Sequence, residues 1–158
     1  MSLPIVEQIA EEIKATVETV TIANGYELDI GDVVRPTRTG ITATPDNYGV
    51  ILLQLDPARG DLDNPGNPPA LSWRQPFALD LCVRPSDTVT TPIDRLINIF
   101  SAEVVKAIMA DVTRGGLAID THLDELQFMR ASDGTYEGVT MFIEVIYRVA
   151  ENDPSAQM

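Results

Sequence analysis

Apolar residues recur along this chain with two periods, and each period marks a different kind of element. From Thr91 to Leu117, Ile93, Leu96, Ile97, Phe100, Val104, Ala107 and Ile108 return at helical spacing. Asp94, Arg95, Asn98, Ser101 and Lys106 fall largely on the other side. That is the single stripe of an amphipathic helix packed on a core. Thr91 is the expected N-cap, Pro92 suits the first helical position, and the positive helix end favours Asp94. Gly115-Gly116 can take positive φ and is the expected stop. Ser2 to Val20 repeats the pattern, with Ile5, Ile9, Ile13, Val17 and Val20 as the stripe. Glu7, Glu11, Glu12, Lys14 and Glu18 cover its solvent side, Ser2 is the expected cap, and Pro4 lies in the first turn.

The second period is two. Tyr26 to Arg35 alternates through Tyr26, Leu28 and Ile30, bends at Gly31-Asp32 and continues to Val34, which predicts a strand. Tyr48 to Asp56 is an apolar run of strand length. Leu71 to Arg84 predicts a strand pair or one bent strand, with Phe77, Leu79, Leu81 and Val83 on one face and Pro76 at its start. Asp120 to Arg130 is less regular but carries Leu123, Leu126 and Phe128. Tyr136 to Ala150 is a long strand, with Val139, Met141, Ile143, Val145, Tyr147 and Val149 on one face. Phe142 and Ile146 lie on its other face, which predicts partial cover there by another subunit.

Breakers separate these segments. Asn24-Gly25 predicts a turn and Ser132-Asp133-Gly134 a hairpin. Pro36 to Asn47 is a Thr-, Gly- and Pro-rich loop carrying Arg38. Pro57 to Ala70, with four prolines, two glycines and two aspartates, predicts a long surface excursion. The order of elements points to an α+β fold, an antiparallel sheet with two amphipathic helices packed on one face. Residues 1–150 form the expected domain and 151–158 a polar C-terminal tail.

Composition narrows the function. The chain has 158 residues, 44% apolar, which suits one domain with its own core. Its formal net charge of −13 argues against non-specific binding to nucleic acid and against docking on an anionic membrane. The acidity serves solubility, or it marks a face with a task such as mimicking or repelling DNA. The first 32 residues hold seven acidic side chains and one basic, Lys14. Cys82 is the single cysteine, so no intrachain disulfide forms, and an intracellular origin fits. The N-terminus lacks the pattern of a signal peptide, and no stretch reaches the ~20 apolar residues of a membrane span.

Catalytic and metal chemistry find no footing in the residues. His122 is the single histidine and reads as a surface side chain, although Asp124 and Glu125 stand beside it. Asp61, Asp63 and Gly66 have calcium-loop spacing, but Pro65 and Ser72 occupy two positions where ligands are required. Cys82 reads as a half-buried structural thiol. Gly115-Gly116 follows a helix instead of opening one, so it does not cradle phosphate. No carboxylate pair stands out for acid–base work. No catalytic, cofactor or metal residue is assigned. Arg35, Arg38, Arg59, Arg74 and Arg84 lie in or beside loops, either solvated or locally paired, or serving as interface anchors. The candidate interface residues are Arg35, Arg38, Arg59, Arg74, Phe142 and Ile146.

A larger pattern spans most of the chain. An amphipathic N-terminal helix leads to Gly25-Tyr26 and a strand closing on Val34-Arg35-Pro36. A middle strand region includes Trp73 and Phe77, and the second helix runs into Asp111-Val112-Thr113-Arg114-Gly115-Gly116-Leu117-Ala118. The last long strand ends Ile146-Tyr147-Arg148. In order and spacing this resembles the tail terminator, or tail completion, proteins of long-tailed bacteriophages and their relatives at the head–tail junction. The Pro57–Ala70 excursion departs from the common pattern. The resemblance implies a non-enzymatic α+β virion subunit that needs no cofactor. It closes into a homo-oligomeric ring, usually a hexamer. The ring caps the tail tube protein, ends tail polymerisation and meets the head connector, and DNA passes through its lumen unbound. The implied location is the head-proximal end of the tail, and the host cytoplasm during assembly. Carboxylates of the first helix or the loops are expected to line that lumen. Other neck proteins, an acidic DNA mimic and a Mg²⁺-dependent hydrolase are the alternatives.

Overall fold

A computed structural model describes residues 2–37, 47–84, 90–130 and 137–158. Helix α1 spans Ile5–Glu18 and α2 Ile93–Met109. The strands are β1 (Asp32–Val34), β2 (Asn47–Gln54), β3 (Ala58–Arg59), β4 (Ala70–Arg84), β5 (Asp120–Arg130), β6 (Glu137–Ala150) and β7 (Asp153–Gln157). They form one curled seven-stranded sheet in the order β1-β2-β4-β6-β5, with β3 beside β4 and β7 beside β6. The expected α+β class holds, and both helices pack on one face.

The predicted stripes supply the core. Ile5, Ile9, Ile13 and Val17 of α1 and Ile97, Phe100, Val104, Ala107 and Ile108 of α2 are buried. They meet Phe77, Leu79, Leu81 and Val83 of β4 and Val139, Met141, Ile143 and Val145 of β6 in one cluster. This is the inner face of the sheet. Full burial of a large apolar side chain contributes about 1.5–3 kcal/mol, so the two stripes account for much of the packing energy.

The sheet is mixed and not purely antiparallel. β1 pairs with β2 in parallel, Asp32 opposite Gly49. The predicted strand from Tyr26 contracts to Asp32–Val34. Before it, a 3-10 turn at Ile22–Asn24 ends at Gly25, φ 90°, and Ile22 and Ile30 bond to Asp29 and Val20 instead of to a neighbouring strand. The predicted hairpin turn at 132–134 lies outside the described residues.

Neither helix has the expected side-chain cap. Pro4 and Pro92 occupy the N-cap positions. The Ser2 hydroxyl instead donates to Ser155 at 2.8 Å. α2 also stops at Met109, before the glycine pair. A series of turns follows, held by Asp111, whose carboxylate accepts from the Thr113 and Gly115 backbone N–H groups at 2.9 and 2.6 Å. Arg114, Gly115 and Gly116 take positive φ only after that.

β4 is a single strand of 15 residues, and Pro76 lies in its interior. The Pro76 carbonyl accepts the Leu55 N–H at 3.0 Å, so its nitrogen faces the same side. β2 ends opposite Phe77 and β3 begins opposite Arg74. The missing N–H therefore falls in a gap between two partners, where no ladder bond is lost. The Gln75 side chain bonds the Leu55 and Pro76 carbonyls there at 2.6 and 2.9 Å.

The excursion from Pro57 to Ala70 is folded. It contains β3 and a bridge between Asn64 and Ala70. The supposed polar tail is also structured: β7 pairs with β6, Gln157 opposite Val149.

Candidate interaction surface

The helices cover the inner face, and among the described residues the excursion covers one end of the outer face. There the excursion bends over Ser72. The Asp63 carboxylate accepts the Ser72 N–H at 2.7 Å, and Ser72 Oγ accepts the Leu62 N–H at 2.9 Å. Arg148 Nε donates to the Leu62 carbonyl at 2.5 Å. Ser72 is fully buried as a result.

Beyond that end the outer face is open among the described residues. Register aligns Leu53, Ala78 and Phe142 across three strands, and Arg74 and Ile146 in another row. Ile51, Leu53, Pro76, Phe142 and Ile146 are half-buried and Arg74 is exposed. The predicted pair Phe142 and Ile146 thus stand on one incompletely covered face, with Glu144 between them.

The arginines divide by partner. Arg35 bonds Glu7 and Glu11 of α1 at 2.6 and 2.5 Å, tying the strand β1 to the helix. Arg59 pairs with Asp63 and lies 5.2 Å from the centroid of the Trp73 ring. These two are spent within the chain. Arg74 makes no ion pair among the described residues, and Arg38 lies outside them. The first-helix carboxylates are similarly engaged: Glu7 and Glu11 hold Arg35, Glu12 meets Arg114 and Glu18 meets Lys14. A bare acidic face on α1 is therefore not what the structure presents.

Arg114 was legible only as part of a motif. Its side chain is fully buried, its guanidinium donates to the carbonyls of Ile108 and Asp111, and it meets Glu12 at 3.3 Å. A cation on the last carbonyls of α2 satisfies the orphan acceptors and suits the negative helix end. The same group bonds α1 to α2.

β5 is the edge strand next to β6, and it carries an exposed apolar row. Leu123, Leu126 and Phe128 are 39%, 43% and 69% exposed. A bulge at Asp124 shifts the register between Leu123 and Glu125. Leu123 stands opposite Ile143, Leu126 opposite Met141 and Phe128 opposite Val139, so all three share the inner face. The signal in the sequence was the 123–126–128 spacing, odd and then even.

An apolar groove of about 290 Å³ opens at the far end of the inner face, lined by Pro4, Pro57, Leu71, Trp73, Tyr147 and Pro154 among others.

The candidate reactive groups are inert or dispersed. Cys82 is buried, and desolvation, with Asp80 nearby, pushes its thiol up to about 11. His122 is 54% exposed in its side chain, 3.3 Å from Asp120. No metal-binding group of three or more His, Cys, Asp or Glu occurs among the described residues. Among these residues no helix is long and apolar enough to cross a membrane. A scan against protein-family models and a search of curated proteins both return no match for this chain.

Proposed function

We propose that this chain is a structural protein of a phage virion, a subunit whose copies close into a ring at the head-proximal end of the tail. The ring caps the tail tube, ends its polymerisation and joins the tail to the head connector, and it needs no catalysis and no cofactor. DNA passes through the ring without being held, in keeping with the net charge of −13. The observation that carries this reading is the open outer face of the sheet. Half-buried Phe142 and Ile146, with Glu144 between them and the exposed Arg74 beside Ile146, mix apolar and charged groups as a subunit contact does. The order of motifs shared with tail terminator proteins supplies the kind of assembly.

Native mass spectrometry of the purified chain, with and without purified tail tubes, tests the reading. The expected result is a closed homo-oligomer, alone or on the tube, that Phe142→Asp and Ile146→Asp disperse without loss of fold. A chain that stays monomeric and also fails to bind tubes overturns it.

A further inference from the structure

The row on β5 is unusual for an edge strand. Natural edges are defended by charges that point inward, by prolines or by twist. Here the inward positions from Leu123 to Phe128 are Leu123, Leu126 and Phe128, and all three are exposed. The bulge at Asp124 is what brings them together. Without the extra residue, Leu126 and Phe128 would lie on the face opposite Leu123, since strand side chains alternate. Among the described residues β5 pairs on one side only, with β6, and no strand lies along its other side. Its outward positions from Asp120 to Gln127, by contrast, are polar: Asp120, His122, Glu125 and Gln127. Asp124 and Glu125 are exposed and make no ion pair among the described residues.

We infer that the free edge of β5 takes an extended segment of another protein that alternates apolar and cationic side chains, added as the next strand of the sheet. The apolar side chains of that segment lie on the inner face and cover Leu126 and Phe128. Its Lys or Arg side chains lie on the outer face, opposite Glu125 and Asp120. Backbone bonds supply affinity and the two faces supply selection. A second copy is the wrong occupant for this edge: it brings the same carboxylate-bearing outer row and no cation at Asp120 or Glu125, and each chain carries a net charge of −13. This inference stands on the sheet edge and not on the ring.

The probe is a labelled ten-residue peptide alternating Lys with Val, followed by fluorescence anisotropy. Two control peptides accompany it, one alternating Glu with Val and one with the lysines and valines in separate blocks. The alternating basic peptide is expected to bind at least tenfold more tightly than either control. Phe128→Lys and Glu125→Lys should each weaken it at least tenfold, with unchanged circular dichroism and melting temperature. Equal binding of the alternating and block peptides would mean plain charge attraction and overturns the inference, as does full binding by Phe128→Lys. An oligomer that Phe128→Lys disperses would assign the row to a second copy, which also overturns it.

Discussion

Gly138 of β6 faces the backbone of Leu81 so closely that a Cβ at Gly138 would stand 2.0 Å from the Leu81 carbonyl oxygen. The obstacle is backbone in a paired strand, so it cannot rotate away as a side chain would. Gly138→Ala is expected to part β4 from β6 locally and to cost at least the ~1–3 kcal/mol of forced overpacking. Gly25→Ala, by contrast, meets open space and strains only a φ of 90°, about 1–2 kcal/mol. Urea unfolding of the two variants checks the order.

Phe100 is fully buried, and its ring meets Tyr48 edge-on with centroids 5.1 Å apart. Phe100→Ala is expected to cost about 3–5 kcal/mol, a large share of a marginal domain's stability. Asn98 is exposed on the same helix, and Asn98→Ala should move the melting temperature little. Similar melting temperatures for the two would contradict the assigned buried face.

Among the described residues, Glu7, Asp63, Asp111 and Asp153 are held below the ordinary carboxylate value. The Arg35 guanidinium lowers Glu7, the Ser72 N–H lowers Asp63, and the side chains of Thr113 and Ser155 lower Asp111 and Asp153. A depressed folded-state pKa means that folding favours the ionised form. The contribution is complete above the ordinary carboxylate pKa and is lost as pH falls through and below that range. Melting temperature should therefore fall from about pH 5 downward. Asp111→Asn should flatten part of that dependence, and hydrogen exchange should show the Ser72 amide opening first in Asp63→Asn.

Cys82, with its thiol near 11, carries roughly a hundredfold less thiolate at neutral pH than a thiol at its ordinary value, besides being buried. Iodoacetamide should modify it rapidly in denaturant and very slowly in the native protein. Fast native labelling would contradict its placement.

The long apolar periods were readable because burial imposes them. The stripes of α1 and α2 and the inner rows of β4 and β6 fall where their spacing put them. What the sequence hid was set by partners distant along the chain. α2 ends at Met109 because Asp111 and Arg114 bind the following turns, whereas Gly115-Gly116 looked like the natural stop. β1 and β7 are strands by pairing with β2 and β6, and their own residues carry little alternation. The apolar row of β5 looked irregular because one extra residue, Asp124, breaks the count. Of the candidate interface, Phe142 and Ile146 were legible from their place on the second face of β6. The fates of Arg35 and Arg59 were not, because Glu7, Glu11 and Asp63 had to be brought to them by the fold.

The middle of this sheet is made late. β6 separates β4 from β5, and Ala150 pairs with Ala70, eighty positions earlier. A nascent chain that has emerged as far as β5 lacks the partner for the whole length of β4. Until β6 arrives, that 15-residue strand presents a long unpaired edge and an apolar face. Contacts this distant close slowly, and exposed strands are where aggregation begins. Losing the last twenty or so residues would thus open the sheet at its centre, and the protein should fold after synthesis of β6 and not progressively along the ribosome.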